Sequence, residues 1–172
     1  MNKIRTTLLV TAAVLLAGCG GTTTNTAAPA SPAAKAEAPA VALTVTDPWV
    51  KAAKKGMTAA FGVLVNHTDE PITIVGASTP VSPEIELHEV VEDGNKMIMR
   101  PKKGGFVVPP RGSHELRPGG DHIMLMGVKE AVKPGEEVPF TLNLEGGTTI
   151  EFTAVSKDFA GANEDYQPGM DH

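Results

Sequence analysis

The chain contains a single cysteine, Cys19, so an intrachain disulfide is excluded and any metal site must draw on His, Met, Asp or Glu. Aromatic residues are scarce, at 4%. With 172 residues, 41% of them hydrophobic, the chain can fill one modest core and not two. Basic residues are outnumbered, 15 Lys and Arg against 20 Asp and Glu, for a net charge of −5. No basic run is present that could follow a phosphate backbone, which argues against nucleic acid as a partner. Also missing are an HExxH pair, a Gly-rich phosphate loop and a Gly-x-Ser-x-Gly elbow. Zinc hydrolysis, phosphoryl transfer and serine hydrolysis therefore have no residues to stand on, and the expectation is a protein that is not an enzyme.

The apolar run Leu8–Ala17 follows a positive head of Lys3 and Arg5, the layout of a secretory signal peptide. As a helix it would span roughly 15 Å against about 30 Å of hydrocarbon core, too short for a lasting membrane span. It ends in Leu16-Ala17-Gly18-Cys19, which resembles the bacterial lipobox. That resemblance implies a signal peptide over residues 1–18 and a diacylated Cys19 as the mature N-terminus. Two acyl chains give lasting attachment where one does not, so an extracytoplasmic protein anchored to the cell membrane is expected. Residues 19–40 are rich in Thr, Ala and Pro, with almost nothing to bury, and read as a disordered tether.

From Val41 onward, short β-branched and alternating runs are separated by Pro, Gly, Asp and Asn. The pattern predicts strands at Leu43–Thr46, Ala59–Asn66, Ile72–Ser78, Glu84–Val91, Lys96–Pro101, Phe106–Val108, His114–Arg117, His122–Val128, Glu137–Leu144 and Thr149–Val155. About ten short strands with no helical periodicity indicate an all-β domain, a Greek-key β-sandwich or barrel, over residues 41–160. Ala52–Met57 reads as either a loop or one helical turn, and residues 161–172 as a polar tail.

Four of the seven methionines fall in two short segments, Met97-Ile98-Met99 and Met124-Leu125-Met126, each near a histidine. On a strand, His122, Met124 and Met126 share one face, while Ile123 and Leu125 take the other. If the branched residues face the core, the polarizable ones face outward, where a Met beside a His is better explained as a ligand than as packing. Asp93-Gly94 between strand-like residues signals a two-residue hairpin loop. Taking those two as the loop sets His88 directly opposite Met99, with Glu89 against Ile98, and directly opposed side chains can reach one ion. A shallow site of His88, Met99, His122 and Met124 is uncharged and soft. It suits Cu(I) and disfavours Mg²⁺, Ca²⁺ and most zinc sites, while blue copper lacks its thiolate.

Met97 and Met126 lie two residues from proposed ligands and read as possible cover around the site. His67 and His114 read as loop or surface histidines, and Trp49 as a core anchor. Met170 and His172, near the C-terminus, form a weak further candidate for copper.

These residues also carry a family resemblance. His88, Met99 and His122-x-Met124, within Asp47-Pro48-Trp49-Val50, Glu86-Leu87-His88-Glu89, Met99-Arg100-Pro101 and the stretch Arg117–Met126, resemble the metal motif of the PCuAC copper chaperones over roughly Thr44–Ser156. The resemblance implies a cupredoxin-like sandwich that delivers Cu(I) to copper centres of cytochrome c oxidase, directly or through another copper chaperone. Two other readings stay open: a copper storage or resistance lipoprotein with the same site, and an extracellular β-domain that binds no metal.

Overall fold

The computed structural model describes residues 41–162 and 165–166. Cys19, the signal and tether segments, and Met170 and His172 lie outside these residues.

The described residues form eleven strands: β1 (Leu43–Lys51), β2 (Gly56–Asn66), β3 (Ile72–Ser78), β4 (Glu84–Asp93), β5 (Lys96–Pro101), β6 (Phe106–Val108), β7 (Ser113–Leu116), β8 (His122–Val128), β9 (Glu137–Leu144), β10 (Thr149–Lys157) and β11 (Asp165–Tyr166). β3, β5, β6, β8 and β9 have the bounds that the alternation predicts. Ala52–Met57 is not a helical turn: Ala53 bridges to Val132 and β2 already begins at Gly56. The stretch expected to be only a polar tail supplies β11, which the polar composition around Tyr166 concealed.

Hydrogen-bonded neighbours follow the order β11-β5-β4-β8-β2-β1-β10-β9-β3-β6, with β7 also pairing on β2. β1 with β10 and β11 with β5 are parallel. β2 is shared along its length: Gly56–Ala60 pairs with β8, and Gly62–Val65 pairs with β7.

The main core gathers one face of nearly every strand, including Leu43, Leu64, Ile74, Phe106, Ile123, Leu125, Val138 and Leu142, all essentially inaccessible. A second, smaller cluster lies on the other face of β8 and β2. It consists of Ala59, Phe61, Met99 and Met124, with Trp49, Val90, Met126, Ala162 and Tyr166 packed against it. Its cover depends on a bulge in β1. The register with β2 slips between Thr46 and Trp49, so that Trp49 pairs with Phe61, and their rings lie 4.5 Å apart. Asp47 takes a left-handed conformation at the bulge (φ 49°). A Cβ on Gly62 would sit 3.2 Å from both Pro48 Cα and Thr46 O, so this close crossing favours glycine at that place.

Asn66, at the end of β2, is buried and ties three segments together. Its Nδ2 donates to the carbonyls of Glu70, Val108 and Pro109, and its Oδ1 accepts from the Thr68 amide and hydroxyl. Asn66→Ala strands these buried partners. It should destabilise the apo domain by about 2–4 kcal/mol in denaturant titrations while leaving metal stoichiometry unchanged, since the residue touches none of the candidate ligands.

Candidate metal centre

β8 lies between β4 and β2, and strand alternation divides its side chains as expected. Ile123 and Leu125 enter the main core, and Met124 enters the smaller cluster. On the β4 side, His88 pairs directly with His122, and Glu86 with Met124. The two imidazoles stand edge to face with centroids 5.4 Å apart. On the β2 side, Met124 pairs with Ala59, a residue small enough to leave the thioether room.

The β4–β5 hairpin differs from the sequence expectation. Its loop is Gly94-Asn95, so Asp93 pairs with Lys96 and Met99 with Val90, while His88 faces Pro101. Gly94 has a positive φ of 64°, and neither Asp93 nor Asn95 is left-handed. That is the φ pattern of a type II′ turn with Gly at its first central position, whereas the predicted Asp-Gly loop would have forced Asp93 to positive φ. The slip is two residues, an even number, so every side chain keeps its face. Met99 stays on the face of His88 as its diagonal neighbour and packs with Met124 in the small cluster. Glu89 falls opposite Arg100, not Ile98, and binds Arg100 and Lys102. Partial burial pushes its carboxyl up, but these two cations outweigh that and hold it below the usual carboxylate range.

The site is also not shallow. His88 is 0% exposed, His122 and Met124 4% and Met99 8%. Tyr166 of β11 closes the His88 side, its ring stacked on the imidazole at 5.4 Å and 7°. Its hydroxyl donates to Glu86 Oε2. Burial foremost, and then the charges of Glu86 and Glu84, raise the Tyr166 pKa, keeping the phenol a proton donor. The strap that precedes β11 is tied down where Lys51 Nζ donates to the Gly161 and Ala162 carbonyls and Phe159 packs edge-on against Trp49.

The ring nitrogens are fixed by what they bond. His88 Nε2 lies 2.6 Å from Glu86 Oε2. A carboxylate accepts, so Nε2 carries the proton, and in the neutral ring the lone pair is on Nδ1. That Nδ1 is buried and has no hydrogen-bond partner among the described residues. His122 Nδ1 donates to the Gly120 carbonyl at 2.9 Å, which puts the lone pair of that neutral ring on Nε2. A buried acceptor without a donor is costly; with a second imidazole beside it and Met99 and Met124 on the same sheet face, its natural partner is a soft cation. Glu86 then plays the part of the carboxylate that orients and enriches a ligating imidazole. No three His, Cys, Asp or Glu side chains converge on a possible metal position among the described residues, so a site here has to recruit methionine sulfur.

Of the other sequence candidates, Met126 is partly buried against the small cluster, while Met97 is 49% exposed and outside it. His67 bonds the Thr44 hydroxyl at the surface, and His114 bonds Asp121. Trp49 covers the small cluster instead of anchoring the main core. Sequence reasoning gave no role to Glu86 or Tyr166. Glu86 was within reach, because on a strand Glu-x-His places both side chains on one face. Tyr166 carried no such signal.

An all-β domain whose buried histidine and methionine face is closed by an aromatic cover defines a class of small β-sandwich with a soft donor face. The comparisons identify its family: residues 43–156 match the LpqE-like family, and the chain belongs to it. A relative in Leifsonia xyli subsp. xyli, bearing the name "Putative lipoprotein Lxx21020", is 41% identical over 123 residues, 72% of this chain and 74% of that protein. Among solved structures, apo-DR1885 of Deinococcus radiodurans is 34% identical at a TM-score of 0.55, covering 84% of this chain and 98% of that one. Its CuI form is 35% identical at a TM-score of 0.52, covering 72% and 85%. The copper-bound PCuAC domain from PmoF2 shares the fold at 17% identity and a TM-score of 0.57, covering 69% and 95%. The PCuAC resemblance and the cupredoxin-like fold expected from the sequence are both borne out.

Glu86→Ala would leave the His88 Nε2–H buried without an acceptor, and should destabilise the apo protein by about 1–3 kcal/mol in chemical denaturation. Glu86→Gln keeps an acceptor oxygen and should lose clearly less; equal losses would mean that the 2.6 Å contact does not orient the ring.

Proposed function

We propose that this protein is an extracytoplasmic copper carrier that binds one Cu(I) through His88 Nδ1, His122 Nε2 and the thioethers of Met99 and Met124. The observation that carries the reading is the buried, unpartnered His88 Nδ1, set in a cluster whose other donors are one imidazole and two sulfurs. The donor set is neutral and soft, which selects Cu(I) over hard divalent ions. The copper-bound PmoF2 domain and CuI-DR1885 support the same reading by likeness of fold. The carrier holds and releases its ion and catalyses no reaction. Its acceptor is an extracytoplasmic copper protein, either the copper centres of cytochrome c oxidase or a second chaperone upstream of them. A diacylated Cys19 anchors it to the membrane, with residues 19–40 as tether and 41–160 as the copper-binding domain.

Competition of the purified protein against a Cu(I)-specific chromogenic chelator, at one pH because imidazole must be neutral to bind, tests the ligand set. Single changes to Ala at His88, Met99, His122 or Met124 should each leave three donors and weaken binding by one to a few factors of ten, ~1.4 kcal/mol for each factor. Paired changes should abolish it. Met97→Ala, His67→Ala and His114→Ala should bind as the parent does, and Met126→Ala should show a smaller loss than any ligand. Parental affinity in both His88→Ala and Met124→Ala would place the site elsewhere, with Met170 and His172 as first suspects.

The anchor is tested separately. Mass spectrometry of the native protein should find an acylated Cys19 at the N-terminus, and Cys19→Ser should release the chain from membranes with copper affinity unchanged. An unmodified tether residue at the N-terminus would refute the lipid anchor.

A further inference from the structure

Four ligands buried this deeply raise the question of how an ion reaches them. On the His88 side the way is shut by Tyr166 and the strap tied to Lys51. A cavity of about 70 Å³ is lined by Met99, Met124 and His122 but not by His88, with Thr58, Phe61 and Met57 also in its lining. Met57 is 48% exposed, so it links that cavity to solvent. Strand alternation puts Met57 on the face of Ala59 and Phe61, two residues before the register partner of Met124. A slip in the β2–β8 register between Gly56 and Thr58 interrupts the ladder beside it; such irregularities re-aim side chains next to functional sites. Among the described residues no carboxylate lines the cavity, and its one charged side chain, Lys51, is directed to the Gly161 and Ala162 carbonyls. Of these lining residues, the exposed thioether of Met57 is the rim donor that suits a soft cation.

We propose that Met57 is a transfer ligand, a thioether at the mouth of the cavity that takes Cu(I) from a donor and passes it to Met124, Met99 and His122, and reverses the route on release. The inference rests on the copper reading above. Cu(I) exchanges ligands by associative steps, in which the incoming donor binds before the outgoing one leaves, so a thioether at the rim lowers the barrier in both directions. No bond is broken other than copper–ligand bonds, and no electron moves. A group that acts only on the barrier changes both rates by one factor and leaves their ratio, the affinity, untouched. An entrance lined by thioethers also admits Cu(I) while giving hard cations no first foothold.

The test is stopped-flow exchange between the full chain and bathocuproine disulfonate, measured in both directions for the parent and Met57→Leu. Leucine retains the volume and apolar character of an exposed site, so folding should be unaffected. Capture from the chelator and release to it should both slow several-fold, by the same factor, at unchanged affinity. Unchanged rates would overturn the proposal. So would a change in one rate alone, which would make Met57 a resident ligand or a packing residue. As a second readout, the methyl-13C resonance of Met57 in the parent should broaden during titration with substoichiometric Cu(I), and a sharp, unshifted signal would equally overturn the assignment. A parent chain that takes no Cu(I) from the chelator would defeat the copper reading itself, an outcome distinct from a parent that binds while Met57→Leu exchanges at parental rates.

Discussion

The direct pairing of His88 with His122 across the β4–β8 ladder is the contact on which the rest of the site depends. Opposed residues of antiparallel strands cannot move apart without breaking the sheet, so backbone hydrogen bonds fix where the two side chains start, and the bonds of His88 to Glu86 and of His122 to Gly120 then set the rings. The sulfurs have looser ties. Met99 reaches the face from β5 as a diagonal neighbour, and Met124 from β8 next to Ala59. Rigid nitrogens with adaptable thioethers suit a site that must bind an ion and also surrender it, since Met can repack when a bond to it is released.

The same ladder explains why the protein carries two cores. β8 is central, and its Ile123 and Leu125 face belongs to the main cluster, which gives the domain its stability without metal. Its other face would leave imidazole and thioether open to water were it not for Trp49, Phe61 and Tyr166. Each arrives from a different part of the chain: Trp49 through the Asp47-Pro48 bulge, Phe61 beside it on β2, and Tyr166 from the last described strand. The small cluster is therefore a cover assembled over a polar face, and burial there sharpens every electrostatic interaction beneath it.

Strand positions and the shared face of His122 and Met124 were legible in the sequence because both follow from period-two alternation, a local property. The hairpin register was not, because Asp-Gly admits two loop assignments and the difference lies in the φ of one residue. Its error did no harm to the site, since a slip of two preserves the face. Depth was misjudged for a different reason. Outward-facing on β8 is not solvent-facing here, because Phe159, Ala162 and Tyr166 come in from later in the chain to cover that face. A parallel two-residue strand with polar neighbours leaves no periodic trace. Asn66, in the sequence only the last residue of the predicted strand Ala59–Asn66, is a hydrogen-bonding hub for three segments, a role that only long-range contacts reveal.

The Glu86 carboxylate bears on which oxidation state the buried site can hold. In the proposed complex the four donors are neutral, and Glu86, bonded to His88 Nε2 and Tyr166 Oη, contributes one negative charge next to them. With Cu(I) the ion and that partly exposed carboxylate sum to zero. Cu(II) in the same place would leave one positive charge uncompensated beneath an apolar cover, where burying an unpaired charge is strongly unfavourable. Softness and charge thus pull the same way: two thioethers disfavour Cu(II) through bonding, and the one carboxylate bonded to His88 among the described residues balances a single positive charge. Two such carboxylates at the centre would have shifted the charge preference to the divalent ion whatever the sulfurs preferred. In the proposed complex the Glu86 bonded to His88 is accordingly part of what would suit this face to Cu(I), and its bond to Nε2 would let the same side chain set the charge and aim the proposed ligand.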